Sequence, residues 1–299
     1  VLYKELGRTG ISIPEVGLGT WNYHAGPRPL RRGLEAGALF IDTAESYGTE
    51  VMVREAIAGL GSRVFVATKV SPQNFRSENL KQSVDGSLNK LGMERIDLLQ
   101  LHEPNSSIPI EETMGTLTNL IEAGKIHYVG VSNFSLTQLQ EAQKAFGQNR
   151  IVSNQVRYNL IDRTIEKGLL QHCQANGVTV IAYCPLARGI NRLRDCDPTG
   201  AIDEVAKRLG KSPAQIVLNW ALCHDGVVVI PKGNTEEHIL DNCGASDWRL
   251  NADHRQLLDS RIRFRHRTGF DNLLRRAIPG GLAKRALKYL PSGLRRRIQ

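Results

Sequence analysis

The chain of 299 residues is about twice the length of a common domain, room for two modest domains or one large α/β barrel. With 41% hydrophobic and 23% charged residues, 28 Gly and 12 Pro, its composition excludes disorder, a collagen-like repeat and a coiled coil. The formal charge of +9 is local: twelve Lys and Arg against one acid, Asp271, fall between Arg261 and Gln299, leaving 27 basic and 29 acidic residues before them. Basicity therefore belongs to a tail, and no nucleic acid is expected as a partner. No apolar run reaches the roughly 18 to 20 residues of a membrane helix, and Val1 to Gly10 lack the apolar stretch of a secretory signal. Five cysteines (Cys173, Cys184, Cys196, Cys223, Cys243) are odd in number and lack C-x-x-C spacing. They predict reduced thiols, no metal site and a cytoplasmic location.

Leu2 to Val16, with Gly7-Arg8-Thr9-Gly10 between short extended runs, predicts a hairpin able to plug the bottom of a barrel. Eight strands follow, near Val16 to Gly19, Leu39 to Thr43, Val64 to Lys69, Ile96 to His102, Tyr128 to Ser132, Val152 to Gln155, Val178 to Tyr183 and Val227 to Ile230. Helical patterns run between them: Ser77 to a stop at Gly92, Ile110 to Ala123 before Gly124, and Ala214 to Leu222 behind Pro213. The longer gap before the eighth strand holds an extra helix, Ala201 to Leu209. Eight βα units without a linker predict an α/β fold, a closed (β/α)8 TIM barrel, over the doubly wound alternative. The barrel is assigned to 1–262 and a basic helical extension to 263–299.

Several familiar motifs fail. Gly17-Leu18-Gly19 continues as Thr20-Trp21-Asn22 and not as a dinucleotide fingerprint; Gly210-Lys211-Ser212 has Val205 where a phosphate loop needs Gly; and Ser106 stands where a zincin needs its second His. Gly130-Val131-Ser132 runs into Asn133-Phe134, so it is no nucleophile elbow.

Barrel chemistry sits at the C-terminal strand ends, and there the residues are unusual. The second strand ends in Asp42 with Tyr47 five residues on, the third in Lys69 and the fourth in His102. A lysine closing an apolar strand requires an anion, and Asp42 is the neighbouring candidate. The ammonium is expected to draw the phenol's pKa from about 10 towards neutral, so that Tyr47 protonates a carbonyl oxygen while His102 orients it. Each residue alone fits a structural role as well, and Asp42 with Lys69 fits a plain barrel-end ion pair. Their joint placement favours catalysis.

The sequence resembles the aldo-keto reductase superfamily. The resemblance rests on Asp42-Thr43-Ala44-Glu45-Ser46-Tyr47-Gly48, Thr68-Lys69, Leu101-His102, Gly124-Lys125-Ile126 through Gly130-Val131-Ser132-Asn133-Phe134, Gln155, Ala182-Tyr183, Pro185-Leu186, Ser212-Pro213-Ala214-Gln215 and Ile230-Pro231-Lys232, in family order. It implies an NAD(P)H-dependent oxidoreductase that reduces an aldehyde or ketone to an alcohol, with Asp42, Tyr47, Lys69 and His102 as the catalytic set. It also implies NADP(H), with NAD(H) as a second cofactor, bound across the barrel mouth. By resemblance Ser132, Asn133 and Gln155 hold the carboxamide, and Tyr183 stacks on the nicotinamide. Gly19, Thr20, Trp21, Asp42, Cys184, Pro185, Leu186, Ile230 and Pro231 line the site, Lys232 and Thr235 contact the phosphates, and His238, Asp241 and Asn242 line the adenosine pocket.

Some positions depart from the family. His238 replaces an arginine common in NADPH-dependent members, and imidazole brings less charge than guanidinium, so NADPH is expected to lead NADH only modestly. Glu103 stands where an aromatic is common, which predicts a more polar substrate pocket, and Cys184 replaces a serine. In the tail, Phe270, Leu273, Leu274, Ala277 and Ile278, then Leu282, Ala283, Ala286, Leu287 and Leu290, recur at helical spacing on either side of Pro279-Gly280-Gly281. Three roles stay open for it: closing over the mouth, weak contact with an anionic membrane, or packing on the barrel exterior. The expected partner is a small carbonyl substrate, and the expected state a monomer. A cofactor-binding regulatory barrel acting on a protein or membrane partner is the alternative function.

Overall fold

A computed structural model describes residues 1–266, so the amphipathic segments expected between Phe270 and Leu290 lie outside the described residues. Two short strands, β1 (Tyr3–Glu5) and β2 (Ser12–Pro14), pair antiparallel as the predicted hairpin. Eight parallel strands follow in chain order: β3 (Leu18–Gly19), β4 (Phe40–Asp42), β5 (Phe65–Val70), β6 (Ile96–Leu101), β7 (Ile126–Ser132), β8 (Ile151–Arg157), β9 (Thr179–Tyr183) and β10 (Val227–Val229). A parallel bridge between Val16 and Val229 closes the first strand on the last. Gly17 N–H donates to the Val229 carbonyl at 2.8 Å and Gly19 N–H to that of Pro231 at 3.1 Å.

The predicted helices form where their end signals stand. Ser77–Leu91 stops at Gly92 in the left-handed region, and Pro213–Leu222 starts under Ser212, whose hydroxyl accepts from Gln215 N–H. Ile110–Glu122 and Ala201–Leu209 occupy the expected gaps. Strand alternation then sorts the apolar residues into two cores. Ile41, Val66, Leu99 and Val131 belong to the core that strands share with helix residues such as Leu30, Leu80, Leu117 and Trp220. Phe40, Ala67, Leu98, Ile181, Val228 and Ile230 fill the barrel itself together with Leu6 and Ile13 of the hairpin. Gly7 N–H donates to Thr179 Oγ1 at the start of β9, which fixes the hairpin at the end of the barrel remote from the strands' C-termini. The bottom is plugged, and the other end is left for chemistry.

Glycine sets the bore of this barrel. A Cβ at Gly17 would lie 2.5 Å from Phe40 Cδ1, and one at Gly19 would lie 2.7 Å from the Ile230 carbonyl oxygen. Overpacking of this kind costs about 1–3 kcal/mol. Gly17→Ala is expected to destabilise by that amount, read from the urea midpoint; an unchanged midpoint would mean that Phe40 moves aside freely.

Candidate active site

Four side chains meet at the open end. Asp42 ends β4, Lys69 lies near the end of β5, and His102 follows β6, with its N–H donating to the Val70 carbonyl at 3.0 Å. Tyr47 sits on a single helical turn, Glu45–Tyr47, whose last N–H donates to the Ala44 carbonyl. Gly48 closes that turn at φ +69°, a conformation that disfavours a side chain. Glu45 holds the turn in place, accepting from Ser71 N–H at 2.6 Å and from Asn74 Nδ2 at 3.0 Å.

Lys69 is 0% exposed and Asp42 is 2% exposed. Two such charges are tolerable inside a barrel only when paired and hydrogen-bonded. Lys69 Nζ donates to Asp42 Oδ1 at 2.5 Å and to the Thr43 carbonyl at 2.8 Å. The second carboxylate oxygen of Asp42 accepts from Gln155 Nε2 at 2.7 Å and Gln100 Nε2 at 3.1 Å. Thr20 donates both its N–H and its hydroxyl to the Asp42 carbonyl, and its Oγ1 joins Thr49 and Thr43 in a buried hydroxyl chain. The expected ion pair is present, and it is fixed from four strands.

The Tyr47 hydroxyl lies 3.3 Å from His102 Nε2, the two rings meet edge to face, and Lys69 Nζ stands 4.8 Å from the Tyr47 ring centroid. The expected shift of the phenol towards neutral is not what this geometry produces. Burial, and then the negative charge of Asp42, push the Tyr47 pKa above its ordinary value. Desolvation decides, and the Asp42 charge acts in the same direction, against the pull expected of the ammonium. His102 is driven down to about 4, first by burial and then by Lys69. At neutral pH the site therefore presents a protonated phenol beside a neutral imidazole, a pair able to donate a proton and a hydrogen bond to one oxygen.

Beside them lies a polar wall. Asn133, at φ +61°, accepts from the Tyr183 hydroxyl at 2.9 Å through Oδ1 and donates through Nδ2 to Ser132 Oγ and the His102 carbonyl. Ser132 Oγ and Asn133 N–H donate to the Gln155 carbonyl, so Ser132, Asn133, Gln155 and Tyr183 stand together. Cys184, at φ +51°, then Pro185 and Leu186 begin the segment leaving β9. Gly19, Ile230, Pro231 and Lys232 meet across the barrel seam, where Lys232 Nζ donates to the Asn22 carbonyl at 3.0 Å, and Trp21 is 52% exposed beside them. Thr235 caps the helix Glu236–Cys243 by accepting from His238 N–H, and His238 is exposed. Asp241 is turned towards Ser212, whose hydroxyl donates to it at 2.9 Å, and Asn242 is buried.

Three groups escaped sequence reading. Gln100 was hidden in an apolar strand, although it alternates with Leu98 and His102 and so faces inward. Arg28 and Arg32 approach Glu236 at 2.7 and 3.8 Å, through helix packing that no local signal records. Arg157, two residues beyond Gln155 on the same face of β8, is buried at the mouth.

The sequence matches the Aldo/keto reductase family over residues 15–263. Methylglyoxal reductase YeaE of Escherichia coli (strain K12) is 37% identical over 260 residues, which cover 83% of this chain and 91% of that protein. A thermostable aldo-keto reductase, Tm1743, in complex with the inhibitor epalrestat is similar with a TM-score of 0.81 and 38% identity, over 87% of this chain and 99% of the other. An aldo/keto reductase from Klebsiella pneumoniae in complex with NADP and acetate is similar with a TM-score of 0.80 and 34% identity, over 89% and 97% respectively.

Lys69→Met removes the only ammonium bonded to Asp42 among the described residues. Breaking a buried pair from one side costs about 3–5 kcal/mol, and equilibrium unfolding in urea is expected to show a loss in that range. A loss below about 1 kcal/mol would mean that Gln100 and Gln155 alone compensate the carboxylate.

Proposed function

Because the chain belongs to the aldo/keto reductase family, we propose that its catalysis is proton donation from Tyr47, with His102 orienting the carbonyl and Lys69 with Asp42 holding the phenol in place. The enzyme reduces aldehyde or ketone carbonyls with NADPH. The observation that carries the assignment of Tyr47 is its hydroxyl, 3.3 Å from His102 Nε2 above a buried ion pair. A protonated phenol and a neutral imidazole are what an oxygen gaining negative charge requires. His102 Nε2–H binds that oxygen, and the Tyr47 hydroxyl delivers the proton. Burial and the Asp42 charge hold the phenol protonated, so it gives up its proton only when charge develops on the oxygen beside it.

The donor set suits NADP(H). Ser132, Asn133 and Gln155 offer amide and hydroxyl partners to the carboxamide, and Tyr183 offers a ring face. At the seam Gly19 packs so closely on the Ile230 carbonyl that no side chain fits between the two strands. Lys232 and Thr235 would meet phosphate, and His238 and Asn242 would flank adenosine. Arg28 and Arg32 pair with Glu236 at the start of that helix, and Arg32 also with Glu35, so the lower charge of His238 stands. When bound, the nicotinamide supplies the hydride to the carbonyl carbon.

We assign the substrate to small 2-oxoaldehydes, the class named for YeaE, because Glu103 next to His102 is exposed and makes the entrance polar. The test is NADPH oxidation over a panel of aldehydes and ketones, repeated with NADH and across pH. A 2-oxoaldehyde should lead the panel, and NADPH should exceed NADH by less than about 10³ in kcat/KM. With Tyr47 raised and His102 at about 4, kcat at saturating NADPH should stay flat from about pH 5 to 9. A break near 6.5 would mean a titrating His102 and overturn the neutral-imidazole assignment.

A further inference from the structure

The end of the barrel opposite the chemistry carries a cleft of its own, of about 460 Å³. It opens between the hairpin turn, at Arg8 and Thr9, and the first residues of β8, Ile151 and Val152. The helices Leu136–Ala145 and Leu169–Asn176 both end at it, through Lys144 and Asn176. Pockets that hold small ligands measure about 300–1,000 Å³, so its size suits one.

The charge of this cleft is one-sided. Arg8, Lys144 and Arg150 line it together with His172, and among the described residues no Asp or Glu does. A neighbouring cleft of about 410 Å³ shares Arg8, yet it sets Glu5 and Asp225 against Arg8 and Lys4. The two helix C-termini contribute roughly half a negative charge each, which offsets one of the three permanent cations. Arg8 is the one engaged, its Nη2 donating to the Ala175 carbonyl at 2.7 Å. Lys144 and Arg150 then remain in surplus, with no ion-pair partner among the described residues. Uncharged donors complete the lining. Asn176 Nδ2 donates to His172 Nδ1 at 3.3 Å, which leaves the imidazole hydrogen on Nε2. Gln140 and Gln148 add side-chain amides that no described partner uses.

We infer that this cleft binds a small phosphorylated compound, at the end of the barrel remote from Tyr47 and His102. A phosphate monoester carries about −1.5 to −2 charge at pH 7, which matches the two surplus cations. Lys144 and Arg150 hold the phosphate, while the two amides and His172 Nε2–H serve the oxygens around it. The sequence from Arg261 onward, with twelve Lys and Arg against one acid, has the same sign of charge as the cleft, so the complement comes from outside the chain. Two sources share this chemistry, an ester with a polar body or inorganic phosphate alone.

Sorbitol 6-phosphate, which has no carbonyl to be reduced, and inorganic phosphate are titrated calorimetrically into the full chain at constant ionic strength. Saturating NADPH is present, so that anion contacts at the mouth stay out of the measurement. Lys144→Gln and Arg150→Gln, both at exposed positions, are compared with Arg208→Gln, which removes the same charge from a surface pair with Glu204. One saturable site is expected in the wild type and in Arg208→Gln, weakened at least about tenfold in the other two. No saturable binding of either probe, or equal binding by all three variants, overturns the inference. Equal binding of sorbitol, which lacks the phosphate, overturns it as well. Tighter binding of the ester than of inorganic phosphate identifies an ester as the ligand, and equal affinity identifies the free ion. The contrast among the variants reads this site whether or not NADPH binds, so its failure is distinct from failure of the proposed function.

Discussion

Everything at the mouth of the barrel is arranged around a lysine that has no water. Lys69 at 0% exposure can stay charged only beside Asp42, and Asp42 can stay charged only with Lys69 and two amides around it. That requirement recruits polar side chains from β4, β5, β6 and β8 into one level of an otherwise apolar interior. It also restricts their neighbours. Gly130 on β7 leaves room for Ser153 and Gln100, so the inward amide reaches the carboxylate without displacing the strand.

Above this level, electrostatics divides the labour. Tyr47 and His102 respond first to the loss of water and then to the nearer charge of the ion pair, Asp42 for the phenol and Lys69 for the imidazole. Both are driven towards their uncharged forms, the phenol upward and the imidazole downward. An uncharged donor pair does not hold an anion in the resting site; it meets negative charge only as that charge develops. Beside them, Ser132, Asn133, Gln155 and Tyr183 form an uncharged wall of amides, hydroxyl and ring, and Lys232 donates to the Asn22 carbonyl at the seam.

The barrel was legible because its signals are local and repeated. Each strand is a short apolar run, and each helix carries its own stop or cap, as Gly92, Gly124 and Ser212 do. Asp42, Lys69 and His102 were legible because a charged or polar residue at the end of an apolar strand is conspicuous. Gln100 was less so, since one amide inside Leu98-Leu99-Gln100-Leu101 resembles a tolerated exception until the strand's inward face is known. The direction of the Tyr47 shift was misread for a related reason. Sequence spacing brought the ammonium near the phenol, but the depth of burial and the neutralising reach of Asp42 arise only when the strands are assembled. Arg28 and Arg157 depend on contacts between distant segments, which no periodicity encodes.

If Tyr47 delivers the proton, nothing else at the mouth replaces it. Single-turnover reduction of a good aldehyde by Tyr47→Phe, paired with NADPH titration of the same variant, tests this most directly. The rate is expected to fall by about 10² to 10⁴ with NADPH affinity held within about twofold, because one donor is lost and the cofactor wall is untouched. A variant that keeps more than about a third of the wild-type rate would contradict it, and the proton would then have to come from His102 or from water.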